Sequence, residues 1–152
     1  MRQISAIVAG LLLLAGAIWW VSRMEPPEPI EVENARVRLV PGGGPMAGYM
    51  RLSNHTDAVV RLVGAATPQF GRVMMHRSVV ENGQARMEHQ SGGVTITPGD
   101  EVEFEPRGLH LMLMRPQREL RVGDTVDIVL EFEGGGPTEL SVPFVVVPVT
   151  AQ

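Results

Sequence analysis

The sequence predicts an all-β domain, folded as an antiparallel β-sandwich or barrel and preceded by one apolar helix. Three observations favour this class. Short runs rich in Val, Ile and Leu alternate with turn residues at the spacing typical of sandwiches and barrels. No stretch after residue 24 keeps a helical period over a useful length. The one long apolar run that suits a helix lies at the amino terminus, before the first of the short runs.

Ten strands follow from the apolar runs and the turn residues between them. The turns include an Asn-Gly pair at 82–83, typical of a two-residue hairpin, and glycine-rich segments at 41–45 and 134–137. The predicted strands are Ile30–Val40, Met46–Asn54, Val59–Gly64, Val73–Val80, Gln84–Glu88, Val94–Ile96, Glu101–Phe104, Leu109–Arg115, Thr125–Glu133 and Glu139–Val147.

An uncharged segment from Ile4 to Val21 opens the chain. As a helix it would be about 27 Å long, close to the hydrocarbon thickness of about 30 Å. Two tryptophans at its far end suit a membrane interface, and the positive charge at its start is expected to stay cytoplasmic. We expect residues 1–23 to be an uncleaved membrane anchor. The alternative is a cleaved signal peptide, with Ala15-Gly16-Ala17 as the cleavage region.

The rest of the chain divides into a short linker and a single domain. Residues 24–29 contain the Pro26-Pro27 pair and acidic side chains, which separate the apolar segment from the first strand. Residues 30–148 then form one domain of ordinary size. With the apolar segment in the inner membrane, or removed after export, this domain lies in the periplasm.

Composition excludes several classes of function. The 13 basic residues, all arginine, are outnumbered by 17 acidic ones, and the formal charge is −4. Nucleic-acid binding requires clustered cations, so no nucleic-acid partner is expected. The chain has no Cys, which excludes a disulfide, a Cys-based zinc site and a blue-copper centre with its thiolate ligand.

The segment 108–114 predicts a strand with two different faces, because side chains alternate along a strand. One face carries Leu109, Leu111 and Leu113, and the other carries His110, Met112 and Met114. The leucine face suits a core, which leaves the second face for a binding site. His110 and Met112 are about 7 Å apart along the strand, so both side chains can converge on one ion.

A second cluster surrounds the Asn82-Gly83 turn. His76 lies on the strand that enters this turn, and Met87 lies on the strand that leaves it. The two are at unequal distances from the turn, so we expect a bulge or a longer loop in this hairpin. The hairpin still brings both side chains to its open end.

Two imidazoles and two thioethers form a soft, uncharged ligand set, which favours Cu(I) over Mg²⁺, Ca²⁺ or a hydrolytic Zn²⁺. Thioether sulfur needs no deprotonation and cannot be lost to a disulfide, so such a site suits an oxidising compartment. A single Met or His in a strand more often only packs. Here five Met and three His fall between residues 74 and 114, which favours metal binding.

Two other classes of function are alternatives to a metal site. One is a non-catalytic adhesion or scaffold sandwich whose Met residues only pack. The other is an enzyme, which is not expected, because the chain has neither a His-Glu-x-x-His motif nor a nucleophile elbow and its acidic residues fall mostly in turns.

The spacing of the His and Met residues resembles the PCu(A)C family of periplasmic copper chaperones. The signature of that family is a His, ten residues, a Met, about 21 residues and then His-x-Met. Ten residues separate His76 from Met87, and 22 separate Met87 from His110. The extra residue fits in the loop at 89–93. Family-like segments also occur at 38–54, 96–104, 108–114 and 122–132, and the resemblance covers about residues 30–148.

The resemblance implies a cupredoxin-like β-sandwich that carries one Cu(I) ion and has no catalytic role. It assigns the copper ligands to His76, Met87, His110 and Met112. It leaves Met74, Met75, Met114 and His89 as packing or supporting residues. It also implies delivery of copper to cytochrome c oxidase, at the CuA site of subunit II, often alongside Sco-type proteins.

Overall fold

The computed structural model describes residues 28–149, and this part of the chain is built from ten β-strands and their connecting turns. The strands are β1 (Ile30–Arg38), β2 (Met46–Asn54), β3 (Val60–Ala66), β4 (Phe70–Glu81), β5 (Gln84–His89), β6 (Val94–Ile96), β7 (Glu101–Phe104), β8 (Leu109–Pro116), β9 (Thr125–Gly134) and β10 (Glu139–Val147). The predicted all-β class is confirmed. Each predicted strand is present, and the largest shift is the earlier start of β4.

The helix, anchor or signal peptide predicted for residues 1–23 lies outside the described residues. Between residues 28 and 149, no helix is long and apolar enough to cross a membrane.

The strands form one hydrogen-bonded sheet in the order β5-β4-β8-β7-β2-β1-β10-β9-β3-β6, with an additional pairing between β8 and β2. Most neighbouring pairs are antiparallel, as expected. The β1–β10 and β7–β8 pairs are parallel, which the sequence did not predict. A parallel pair cannot be closed by a tight hairpin, so β1 and β10 become neighbours only when the whole domain folds between them.

A single hydrophobic core lies inside this sheet. Its buried residues come from every strand except β5 and form one cluster, so the sheet curves around them as in a sandwich or barrel. β8 contributes its predicted inner face, because Leu109, Leu111 and Leu113 are all buried. Each buried leucine contributes roughly 1.5–3 kcal/mol. By contrast, β5 is an edge strand that lies outside the core.

The β4–β5 hairpin turns at Asn82 and Gly83, whose φ angles are +52° and +77°. Positive φ at both central residues defines a type I′ turn, whose twist matches that of the flanking strands. Glu81 therefore pairs with Gln84, and the register continues without a shift to His76 and His89. The prediction of a bulge or a longer loop in this hairpin was wrong, because a two-residue turn of this type keeps the strands in register.

Candidate metal centre

Three histidines lie side by side across β5, β4 and β8. His76 on β4 is directly opposite His89 on β5 and directly opposite His110 on β8. Directly opposite residues of antiparallel strands share a face. The ring centre of His76 is 5.4 Å from that of His89 and 6.1 Å from that of His110, edge to face in both cases. We call these three residues the histidine row.

His110 is held in a defined tautomer by the turn that precedes β8. Its Nδ1 lies 3.1 Å from the carbonyl oxygen of Gly108, which also accepts the backbone N–H of Ser78 at 3.0 Å. A carbonyl only accepts, so Nδ1 carries the proton and Nε2 of the neutral ring keeps its lone pair. With 6% of its surface exposed, the side chain has little freedom to turn away. This arrangement is typical of histidines that bind metals through Nε2.

His76 has one buried ring nitrogen. Its Nδ1 has no hydrogen-bond partner among the described residues, and a buried polar atom without a partner costs free energy. Burial lowers the pKa of His76 below 6.5, and the neighbouring rings of His89 and His110 lower it further. The ring is therefore neutral at pH 7, as a metal ligand must be.

The two predicted thioether ligands differ in exposure. Met112 shares the outer face of β8 with His110, is partly buried and lies opposite Met74. Met87 lies on the edge strand opposite Ser78 and is 60% exposed. The edge position leaves the Met87 thioether accessible from solvent, whereas Met112 is packed among its neighbours.

Strand register places the two thioethers on opposite diagonals from His76. In a flat sheet their Cα atoms would be about 17 Å apart, from two strand spacings of about 4.8 Å and four residues of about 3.4 Å. Met87, Met112 and His110 nonetheless line one groove of about 930 Å³. Three of the four predicted ligands therefore share this groove. His76 is not part of its wall and lies beside His110.

The remaining candidates occupy different positions. Met75 is buried in the core, and Met114 lies opposite Arg72, two residue pairs beyond Met112 and Met74. His89 lies closer to the predicted ligands than expected, because it is directly opposite His76. The sequence contained the information to find it: a two-residue Asn-Gly turn pairs residue 81 with residue 84, and counting back along both strands pairs 76 with 89.

Solved structures share this fold. The copper-bound PCuAC domain from PmoF2 matches with a TM-score of 0.64 and 22% identity, covering 80% of this chain and 95% of that domain. The Cu(I) form of DR1885 from Deinococcus radiodurans matches with a TM-score of 0.59 and 32% identity, covering 82% of this chain and 80% of that one. The chain thus has the fold of the PCuAC domains, and the predicted resemblance to that family is confirmed.

Sequence relatives define the family more narrowly. The family model described as "Putative lipoprotein LpqE-like" matches residues 30–144, and the chain belongs to this family. "Putative lipoprotein Lxx21020" from Leifsonia xyli subsp. xyli is 27% identical over 114 residues, which cover 75% of this chain and 68% of that protein.

Proposed function

We propose that this protein is a copper chaperone that binds one Cu(I) ion and passes it to an acceptor protein. The observation that carries the proposal is the pairing of His76 with His110 across β4 and β8. Met112 lies on the same face beside His110, and Met87 lines the same groove. The existence of a Cu(I) form of DR1885, a relative with 32% identity, supports copper as the metal.

The ligand chemistry suits the reduced ion. His76, His110, Met87 and Met112 supply two neutral nitrogens and two neutral sulfurs, a set that favours a soft monovalent ion over hard divalent cations. Neither thioether has to lose a proton before it binds. The hydrogen bond from His110 to Gly108 leaves Nε2 of the neutral ring with a free lone pair, which supports His110 as a ligand.

Release is expected to begin at Met87. Its thioether is exposed on an edge strand that contributes nothing to the core, so an acceptor ligand can displace it without unfolding the domain. Among the described residues that line the groove there are two arginines, Arg38 and Arg107, and no Asp or Glu. An acceptor with acidic side chains around its own soft ligands would therefore dock favourably.

The acceptor that we propose is the CuA site of cytochrome c oxidase subunit II, a Sco-type protein, or both. The domain would work in the periplasm, tethered to the inner membrane by the apolar helix of residues 1–23 or free after its cleavage. The family description and the name of the Leifsonia relative, both of which contain the word lipoprotein, support export and attachment to a membrane.

Copper binding is tested by titrating the full-length chain with Cu(I) in reductant against a competing chelator. One ion per chain is expected. Met112→Leu keeps the side-chain volume but removes the sulfur. Loss of a group that only hydrogen-bonds to a metal ligand already weakens metal binding by about 10–100-fold, so loss of the ligand itself should weaken Cu(I) binding at least as much. Met114→Leu, on the same face of β8, is the matched control and should change affinity less than about twofold. Equal affinity in both variants would contradict the ligand assignment.

Delivery is tested separately from binding. The Cu(I)-loaded chain is mixed with the copper-free soluble domain of cytochrome c oxidase subunit II or with a Sco-type protein, the two are separated, and copper is measured in each. Movement of copper to the acceptor is expected. Retention of all copper by the donor would contradict delivery to these acceptors. A chain that takes up no Cu(I) would instead favour the scaffold alternative.

A further inference from the structure

We propose that His89 is a copper ligand and that the histidine row binds Cu(II) through three imidazoles. The inference rests on the proposed function, because it concerns the same site, and it extends that function to the oxidised ion. Neither the family spacing nor the four-ligand Cu(I) set includes His89. No oxidation or reduction of copper is involved, since the ion is taken up as Cu(II).

Strand register supports His89 more directly than it supports Met87. His89 is opposite His76, whereas Met87 is opposite Ser78 and reaches His76 only along a diagonal. The strands of His89 and His110 flank β4, so these two Cα atoms are about 10 Å apart, or two strand spacings. An ion above His76 would be displaced sideways by about 5 Å from the Cα atom of His89 and from that of His110. An imidazole side chain can span that distance.

The two ring separations that involve His76 fit a shared ion. A metal–nitrogen bond is about 2.0–2.1 Å and a ring nitrogen lies about 1.1 Å from the ring centre, so two imidazoles on one ion have centres up to about 6.3 Å apart. The distance from His76 is 5.4 Å to His89 and 6.1 Å to His110. Both separations fall within that limit.

Backbone hydrogen bonds hold the rings of His89 and His110, the two ends of the histidine row, in the same tautomer. Nδ1 of His89 lies 3.1 Å from the carbonyl oxygen of Met75, and Nδ1 of His110 lies 3.1 Å from that of Gly108. In each neutral ring the proton is on Nδ1 and the lone pair is on Nε2. His76, between them, has a buried Nδ1 without a partner among the described residues. All three rings can therefore offer a nitrogen.

Binding requires the rings to turn. Within residues 28–149 no three His, Cys, Asp or Glu side chains are already arranged to hold one metal ion. Nδ1 of His76 has no hydrogen-bond partner among residues 28–149, so this side chain can rotate between the rings of His89 and His110, each held by its own backbone hydrogen bond.

Ligand type explains why this set selects the oxidised ion. Cu(II) favours nitrogen and oxygen ligands in a tetragonal arrangement, whereas thioethers favour Cu(I). Three imidazoles with water as a further ligand satisfy Cu(II) without either methionine. The two oxidation states would then share His76 and His110, with His89 used for Cu(II) and the thioethers used for Cu(I).

The test compares both ions in the same variants of the full-length chain in mild detergent. Cu(II) is titrated aerobically with electron paramagnetic resonance to detect coordinated nitrogen, and Cu(I) is titrated in reductant. His89→Gln should lower Cu(II) affinity at least about tenfold and change Cu(I) affinity less than about twofold. Met112→Leu should do the reverse. His55→Gln is the matched control, since the described structure pairs that histidine with Glu31, away from the row.

The outcomes distinguish this inference from the proposed function. Unchanged Cu(II) affinity and nitrogen coupling in His89→Gln would overturn the inference, even if Met112→Leu still loses Cu(I). Loss of Cu(II) affinity in His55→Gln equal to that in His89→Gln would overturn it as well. A wild-type chain that binds no Cu(I) would instead overturn the proposed function. Selective loss of Cu(II) in His89→Gln supports the inference.

Discussion

Strands β8 and β9 have equivalent inner faces and very different outer faces. The inner face of β8 is Leu109, Leu111 and Leu113, and that of β9 is Val126, Ile128, Leu130 and Phe132; all of these are buried. Each strand thus contributes an apolar row to the same core. Core packing constrains only this face of a strand in an antiparallel sheet, so the inner faces do not distinguish a binding strand from a purely structural one.

The outer faces make that distinction. On β9 the outer face carries Asp127, Glu131 and Glu133, and Glu133 forms an exposed ion pair with Arg61. On β8 the corresponding positions are His110, Met112 and Met114, which are buried or partly buried. Solvation explains charges on an outer face. It does not explain a buried imidazole and two partly buried thioethers, which the proposed copper site would explain.

The largest expected effect tests whether the inner faces are equivalent. Leu111→Ala and Ile128→Ala each remove most of a side chain with no exposed surface. Each should lower the free energy of unfolding by about 3 kcal/mol, from lost burial and the cavity left behind. Denaturant unfolding of the metal-free protein measures both. A cost below about 1 kcal/mol in only one of them would show that the two rows do not share one core.

The next effect tests whether the outer faces differ in function. A ligand that binds only the folded state stabilises it by about 2.7 kcal/mol at a hundred times its dissociation constant. Cu(I) in reductant should therefore raise the unfolding temperature of the wild type but not that of His110→Ala. Asp127→Asn, an outer-face change on β9, should respond like the wild type. A response of His110→Ala to Cu(I) as large as that of the wild type would assign the outer face of β8 no role in binding.

The smallest effect concerns the connection between the two strands. Arg118 donates a hydrogen bond to Asp124 at 2.7 Å and lowers the pKa of that carboxyl below 3.8, and the backbone N–H of Arg121 lowers it further. A lowered pKa means that the stabilisation is present above about pH 3.8 and is lost as the pH falls through the folded-state value. Acid unfolding should show a smaller drop in Asp124→Asn. An identical acid profile would contradict a stabilising role for this carboxylate.

Strand positions could be read from the sequence because they depend on local information. Alternation placed the leucines of β8 inward and His110 and Met112 outward, and the structure agrees. The Asn82-Gly83 turn was also recognised, but the register that it imposes was not carried through, so a bulge was expected where none exists. The correct register makes His89 the direct partner of His76.

Strand order, unlike strand position, could not be read from the sequence, because it depends on contacts between distant parts of the chain. Nothing local to β4 indicates that β8, far along the sequence, becomes its neighbour, or that the register sets His76 opposite His110. The parallel pairing of β1 with β10 is equally distant in sequence. These choices are made when apolar rows from nine strands are packed into one core, where a one-residue slip would turn a strand's leucines outward.

The sequence by itself thus determined the all-β class, the strand positions, the two faces of β8 and the soft character of the His and Met side chains. These properties follow from side-chain alternation, turn chemistry and ligand type, each of which acts over a few residues. Only the tertiary structure decided that β8 flanks β4 on the side away from β5, and with it the place of His110 in the histidine row and the groove shared by Met87 and Met112. The physical reason is that burial of the whole core, rather than any local preference, selects the order and register of the strands.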